Sequence, residues 1–445
     1  MGVEQGLGGD LERWLTPFLE VVGRKTRRTW TPLYVQGLLG PEGRRSVQPM
    51  AARLGLSSHD QLHHFLTSPA WDDAPLWRVL ARTADRLVGG PGAVLVIDDT
   101  ALPKKGELSA GVARQYCGAL GKRANCQVLV SATLAGGEVP VPVGLRLFLP
   151  AAWVDDPDRC ARAGVPESEC QQHSKPEIAL AEIDRLRAAG LRFSTVLADA
   201  GFGMSAAFRH GLDTRQLLWA VGIPRTQKLY RPGVRLRWPR ARTGRPRTRP
   251  VPSAAPRSAE AMLGRARWRR ISWRRGTKGP LAARFAALRV RVADGPHTGA
   301  GRHLPGAELW LVGEWRSNGE RKHHLANLPH RTSLRRLAAT IKARWVCEQA
   351  HQQLKQEIGL GDFEGRSWTG LHRHALMTCI AFAYLQHLRL KAARKRGEKV
   401  GLSRSLGGTA APTQLASDTP RRRRPALRPS LPTKTLSTLR PQLAA

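Results

Sequence analysis

Acidic residues are scarce in this chain: 34 Asp and Glu stand against 72 Lys and Arg over 445 residues, a formal net charge of +38. A surface so poor in negative charge suits a polyanion, either nucleic acid or an anionic membrane. Long apolar runs are missing too. The most apolar stretch, ALMTCIAFAYL at 375–385, falls short of the roughly 20 residues a spanning helix needs, so nucleic acid is the better-supported partner. The first residues, MGVEQGLGGDLERW, have neither a basic start nor an apolar core, and no secretory signal is expected. Cysteine is sparse and scattered, at 117, 126, 160, 170, 347 and 379, with no CxxC pair. That argues against a disulfide frame and for reduced thiols in a cytosol. Two groupings, Cys160 with Cys170 and His173, and His372 with His374 and Cys379, hold zinc-ligand residue types without a finger-like spacing. No zinc site is expected from them, and no internal repeat is apparent.

What is present divides the chain by its hydrophobic period. Residues 10–88 read as helical, with amphipathic runs LERWLTPFLEVVGR and PLWRVLARTADRLV and a turn at Leu39, Gly40 and Pro41. At 93–97 a short continuous apolar run is closed by Asp98 and Asp99, the pattern of a buried strand. Strand-like runs follow at 126–134 and 142–149, separated by Gly136 and Gly137. Residues 176–189 alternate as a helix and stop at Gly190. FSTVLAD at 193–199 reads as a second buried strand, ending in Asp199. The stretch 231–257 is too rich in Pro and Arg for a core and reads as an exposed basic loop. Strands expected near 268–273, 285–292 and 308–312 complete a β-rich insertion. A helix over IKARWVCEQAHQQLKQEIGL (341–360) and another at 372–390 follow. The tail beyond 391, with four arginines at 421–424 amid Pro, Ser and Thr, is expected to be disordered.

If 341–360 is one helix, as Ala343, Val346, Cys347, Ala350, Leu354 and Ile358 suggest, a turn of about 100° per residue puts Arg344, Glu348 and Lys355 on one stripe. An ordinary solvated face carrying an Arg-Glu pair four residues apart would look the same. Asp98 and Asp199 change the weight of the stripe. Each closes an apolar strand, where a carboxylate is costly unless solvent, a cation or a metal meets it. Two such strands in one domain imply a shared site, although either acid could instead shape a local turn. Three hard oxygen ligands without His or Cys suit Mg²⁺ or Mn²⁺. A pair of such ions can activate water and stabilise the leaving oxygen during attack on a phosphodiester. Arg344 and Lys355 would then lie where DNA phosphates pass.

The order Asp98, Asp199, Glu348, with R-x3-E-x6-K from Arg344 to Lys355, resembles the DDE transposases of bacterial insertion sequences that carry a Y-R-E-K signature. Further matching text is IDDTALPKKG, GVARQYCGALGKRANCQV, VLADAGFG, GTKGPLAARFAALRVR and HRHALM. The resemblance runs from about Lys25 to Leu390. Ile341 stands where the signature has Tyr. The resemblance implies an α/β fold: an RNase H-like mixed sheet flanked by helices, with a β-rich insertion before the glutamate helix. The division expected is an N-terminal helical, DNA-end-binding domain (1–90), a first part of the core (91–224), the insertion (225–332), the core's C-terminal helices (333–390) and the basic tail (391–445). It implies Asp98, Asp199 and Glu348 as catalytic metal ligands for Mg²⁺ or Mn²⁺, two ions in all. Arg344 and Lys355 become DNA contacts.

Other DNA contacts are expected from position alone. Lys104 and Lys105 follow the first acid closely, and Arg114, Gln115 and Tyr116 could meet DNA across a sheet edge, or form a structural hairpin. Trp268 and Trp273 lie amid Arg267, Arg269, Arg270, Arg274 and Arg275, offering stacking surfaces with charge, or core. His372 and His374 could approach the acids, or bond within helix ends. The function expected is a transposase that binds the terminal inverted repeats of its element and catalyses cleavage and strand transfer. It would act as a homodimer on double-stranded DNA, with no membrane partner, in a bacterial cytoplasm at the nucleoid. The alternatives are a transposase-derived DNA-binding protein that does not cut and a repair or junction nuclease on the same core.

Overall fold

Amphipathic periodicity yields five N-terminal helices: α1 (Gly2–Val21), α2 (Lys25–Leu39), α3 (Val47–Arg53), α4 (Asp60–Thr67) and α5 (Ala74–Val88). On α5 the stripe of Leu76, Trp77, Leu80, Ala81, Ala84 and Val88 is buried, one face of a 3.6-residue period. The computed structural model describes residues 2–40, 43–69, 71–238, 250–276, 279–296 and 303–396. The tail beyond 396 and the centre of the Pro- and Arg-rich loop lie outside them.

An antiparallel meander follows, β1 (Val94–Pro103), β2 (Ala113–Cys117), β3 (Lys122–Gly136) and β4 (Val139–Leu147). Two short helices, α6 (Ala151–Val154) and α7 (Pro157–Arg162), lead to α8 (Lys175–Ala188), whose start is fixed by a Ser174/Glu177 capping box. Next come β5 (Thr195–Ala198), α9 (Ala200–Gly203), α10 (Ala206–Thr214) and β6 (Leu218–Ile223). β5 and β6 run parallel to β1, whereas β3 is antiparallel to it and β4 antiparallel to β3. The resulting order, β4-β3-β1-β5-β6, is the mixed RNase H-like sheet that the resemblance implied.

The insertion does not form a body of its own. Its elements are β7 (Lys228–Tyr230), β8 (Leu236–Arg237), β9 (Val251–Pro252), β10 (Arg257–Ser258), α11 (Ala259–Leu263), β11 (Arg269–Gly276), β12 (Gly279–Val292), β13 (Glu308–Trp315) and β14 (Arg321–Ala326). β14 pairs with β6, β13 with β14 and β12 with β13, so the insertion widens the sheet to twelve strands among the described residues. Three helices close the chain: α12 (Leu334–Lys342), α13 (Trp345–Gln356) and α14 (Trp368–Lys395).

Strand alternation sorts side chains onto two faces. Leu95, Ile97, Val196 and Val221 join the core that includes α1–α5 and α14. Val96, Leu197 and Ala220 join a second core beneath α12. The N-terminal helices expected as a separate domain therefore share one core with the sheet and α14. The apolar run 375–385 is the buried middle of α14, and among the described residues no helix is long and apolar enough to cross a membrane.

Two sequence expectations are corrected. β1 continues six residues past Ile97, because β3 pairs with it as far as Pro103 opposite Cys126. Asp98 thus closes only the parallel pairing with β5, which ends at Ile97 opposite Ala198. The stretch 341–360 is two helices, since α12 follows the insertion strands β11–β13 while α13 packs on β4 and β1. Arg344 stands at the break, as the N-cap residue of α13. The hairpin alternative for 114–116 holds, as β2 and β3, whereas strands β6, β7 to β10 and β14 escaped the sequence reading; β14, RKHHLA, carries too much charge and His to look like one.

Glu182 of α8 ties that helix to β4. It is buried, bonded to Arg146 at 2.8 Å and to Arg185 at 2.8 Å, and lies against Gly144, where a Cβ would come within 2.4 Å of its Oε2. Burial alone would raise its pKa, but the two arginines hold it at about 2, below the ordinary 4.5. A depressed pKa contributes stability that is present above 4.5 and lost as pH falls through about 2. Urea unfolding across this window should show wild type losing on the order of 3 kcal/mol of stability that Glu182→Gln does not lose. A gap between the two proteins that is constant with pH would contradict this.

Candidate functional site

Asp98 shares a sheet face with Val96, the side on which α12 and α13 lie, while the adjacent Asp99 points to the other side. The two acids accordingly meet different cations: Arg344 donates to Asp98 Oδ2 at 2.5 Å, and Lys175 of α8 donates to Asp99 Oδ2 at 2.5 Å. Asp98 is only 9% exposed. Its Oδ1 accepts from the Asp99 backbone N–H at 2.9 Å.

Arg344 joins the acids. Its other terminal nitrogen donates to Glu348 Oε1, one turn along α13. Asp199 lies close enough that its charge acts on both Asp98 and Arg344. Burial pushes the Asp98 carboxyl up to about 7; Arg344 pulls the other way and Asp199 adds to the rise. Burial would also discharge Arg344, yet Asp98, Glu348 and Asp199 together hold its pKa above the ordinary value. Two of the three acids named from the sequence thus bind one guanidinium, and the charge of the third, Asp199, acts on it.

Asp199 is positioned by close backbone approach. It caps α9, its Oδ1 accepting from Phe202 N–H at 3.2 Å. Behind it, α9 lies directly on β6. A Cβ at Gly203 would stand 1.9 Å from the Gly222 carbonyl, and one at Gly222 would stand 2.7 Å from Ala200 N. Only glycine fits either place.

Arg344 reaches the acids because α13 is anchored on both sides. Lys342 at the end of α12 bonds to the buried Glu314 of β13 at 2.8 Å, and Arg316 bonds the same carboxylate at 3.0 Å. Burial would raise Glu314, but Lys342 and Arg316 hold it below its ordinary pKa. Arg274 of β11 lies 4.0 Å over the Trp345 ring and pairs with Glu138 at the β3–β4 turn.

The remaining candidates separate into exposed and structural groups. Lys355 is half-buried on α13 near Cys117 and makes no ion pair among the described residues. Lys105, Arg114 and Tyr116 are exposed, Tyr116 to 66%. Lys104, by contrast, turns inward: its Nζ donates to the Phe363 carbonyl and lies over that ring. Gln115 donates to the Cys126 carbonyl at 3.1 Å. Trp268 packs edge-on against Trp315 above Gly313, and Trp273 packs edge-on against Phe285 beneath Lys342. Both tryptophans serve packing within the insertion. His372 accepts from Leu147 N–H and meets the Trp368 carbonyl, while His374 bonds Tyr34 and the Gly359 carbonyl. Neither histidine joins the acids.

A polar network beside Asp98 escaped the sequence reading. His351 Nε2 lies 2.8 Å from Ser131 Oγ, which donates to the Asp98 carbonyl at 3.2 Å. Cys347 Sγ lies 3.5 Å from both Thr133 Oγ1 and His351 Nε2. Burial pushes the His351 pKa down to about 3 and the Cys347 thiol up to about 12. Cys347 counted as apolar in the helical stripe; the four-residue spacing to His351 was the available signal.

Three carboxylates are donors that a hard divalent cation takes; Arg344 binds two of them, Asp98 and Glu348, and the charge of Asp199 acts on both Asp98 and Arg344. Replacement of Gly222 by Ala should displace Asp199 and lower the melting temperature by several degrees, whereas Ala at Gly118, which has open space around it, should leave melting unchanged. Equal melting of the two variants would contradict the close-approach argument.

A probable transposase for insertion sequence element IS701 from Microchaete diplosiphon is 30% identical over 188 residues, 42% of this chain and 46% of that protein. The chain thus spans about half the length of this curated relative. The cryo-EM structure of a piggyBac transposase synaptic complex with hairpin DNA is similar with a TM-score of 0.40 and 11% identity, over 88% of this chain and 74% of that one. Residues 17–280 match the model of the DDE superfamily endonucleases. On that match over more than half its length, the chain belongs to the DDE superfamily endonucleases, whose chemistry depends on a divalent metal.

Proposed function

We propose that this protein is a DNA transposase that binds the terminal inverted repeats of an insertion sequence, hydrolyses the strand at each end and joins the freed 3′-hydroxyl to target DNA. The observation that carries the proposal is the bridge of Arg344 between Asp98 and Glu348 with Asp199 beside it. Asp98, Asp199 and Glu348 would hold two Mg²⁺ or Mn²⁺ ions. Such ions supply activation of water and stabilisation of the leaving oxygen.

The chain's own residues define the rest. Arg344 neutralises the acids in their resting arrangement and is free to turn to a DNA phosphate once a metal takes its place. Lys355, on the same helix, supplies a second cation. The exposed end of the β2–β3 hairpin, with Arg114, Tyr116, Lys122 and Arg123, offers further charge and a stacking ring. End recognition falls to the N-terminal helices, where Arg24, Lys25, Arg27 and Arg28 cluster. Two copies would hold two ends. The intact acid set favours cleavage over a purely DNA-binding role.

Purified protein incubated with supercoiled DNA carrying the element ends and Mg²⁺ should nick at those ends. Asp98→Asn, Asp199→Asn and Glu348→Gln should each lower the rate by at least about a thousandfold, a loss of about 4 kcal/mol of transition-state stabilisation, with end binding retained in gel-shift assays. Nicking at wild-type rate by all three variants would overturn the assignment.

A further inference from the structure

Asp98 belongs to a second constellation. Among the described residues, Asp98, Cys347 and His351 form a group whose ligand atoms all lie within 4.8 Å of one another. Cys347 and His351 are four apart on α13 and so share its inner face. Their Sγ and Nε2 atoms stand 3.5 Å apart. Tetrahedral zinc, with Zn–S near about 2.3 Å and Zn–N near about 2.0–2.1 Å, requires its sulfur and nitrogen ligands about 3.5 Å apart. The pair therefore already has the spacing that a soft or borderline ion needs.

The surroundings match as well. Cys347 and His351 are both buried, and among the described residues their polar atoms bond only the hydroxyls of Thr133 and Ser131 and each other. Ser131 stands opposite Asp98 and Thr133 opposite Val96 in the β1–β3 ladder, so all these groups lie on one side of the sheet. A thiolate and an imidazole select zinc-class ions over Mg²⁺, which takes oxygen ligands.

We infer that Asp98, Cys347 and His351 constitute a thiophilic-metal site of the Zn²⁺ class, mutually exclusive with use of Asp98 in the acid cluster. On binding, the Cys347 thiol loses its proton to solvent as sulfur bonds the ion, and the proton that His351 Nε2 donates to Ser131 moves to Nδ1, which leaves the Nε2 lone pair for the metal. Asp98 gives up Arg344, which stays with Glu348. Zinc-class ions thereby switch the nuclease off, a consequence that rests on the proposed function; the site itself does not.

The test uses the full chain and Co²⁺ as a spectroscopic probe. Wild type should develop one equivalent of thiolate-to-cobalt charge-transfer absorption, which Cys347→Ser and Cys347→Ala should both lack and His351→Gln should weaken. The same absorption in folded Cys347 variants, or none in wild type, overturns the site. In Mg²⁺-supported nicking, micromolar Zn²⁺ should slow wild type about tenfold or more and Cys347→Ser less than about twofold. Equal inhibition of both overturns the switch. Should wild type fail to nick at all, the proposed function falls, while the cobalt spectrum still decides the site.

Discussion

The molecule depends on one electrostatic contact, the guanidinium of Arg344 held between Asp98 and Glu348. Asp98 is nearly excluded from water inside a sheet, a position in which an unpaired carboxylate is expensive. Arg344 offsets part of that cost. It reaches Asp98 only because the chain breaks between α12 and α13, and the break follows from the two helices packing on different strands. The insertion fixes the first helix through Lys342 and Glu314, and the RNase H-like sheet fixes the second.

Pleating distributes the charges. Asp98 and Asp99 are neighbours in sequence yet serve opposite faces, one toward Arg344 and α13, the other toward Lys175 and α8. Asp199 arrives from the next strand over, carried by a helix pressed so closely on β6 that Gly203 and Gly222 admit no side chain. Asp98 and Glu348, far apart in sequence, thus meet at one cation, on which the charge of Asp199 also acts. Under the proposed function, a bound metal would take over from Arg344, which would then be available to an anionic substrate.

Much of this was legible in the sequence. Strands ending in acids stood out because VLVID and TVLAD join unbroken apolar runs to a charge, and the Arg-Glu spacing marked a helix face. What was hidden depended on long-range pairing. β1 extends past Asp98 because β3 lies beside it, a partner that no local pattern announces. β14 reads as polar because RKHHLA is rich in charge and His, and only its pairing with β13 and β6 makes it a strand. Lys104 looked like a DNA contact by its distance from Asp98, but the Phe363 carbonyl, some 260 residues on, claims it. The tryptophans at 268 and 273 found ring partners in the insertion. The Cys347 thiol beside Asp98 passed for core in a helical wheel, and the imidazole of His351 four residues on carried no sequence signal of its own.

The proposed function requires that the three acids act as one cation site. Mn²⁺ binding to the DNA-free protein, followed by electron paramagnetic resonance, measures this without any catalytic turnover. Binding should weaken by about tenfold or more in each of Asp98→Asn, Asp199→Asn and Glu348→Gln, in keeping with the loss of a ligand from a shared site. Unchanged Mn²⁺ affinity in any one of the three would contradict it.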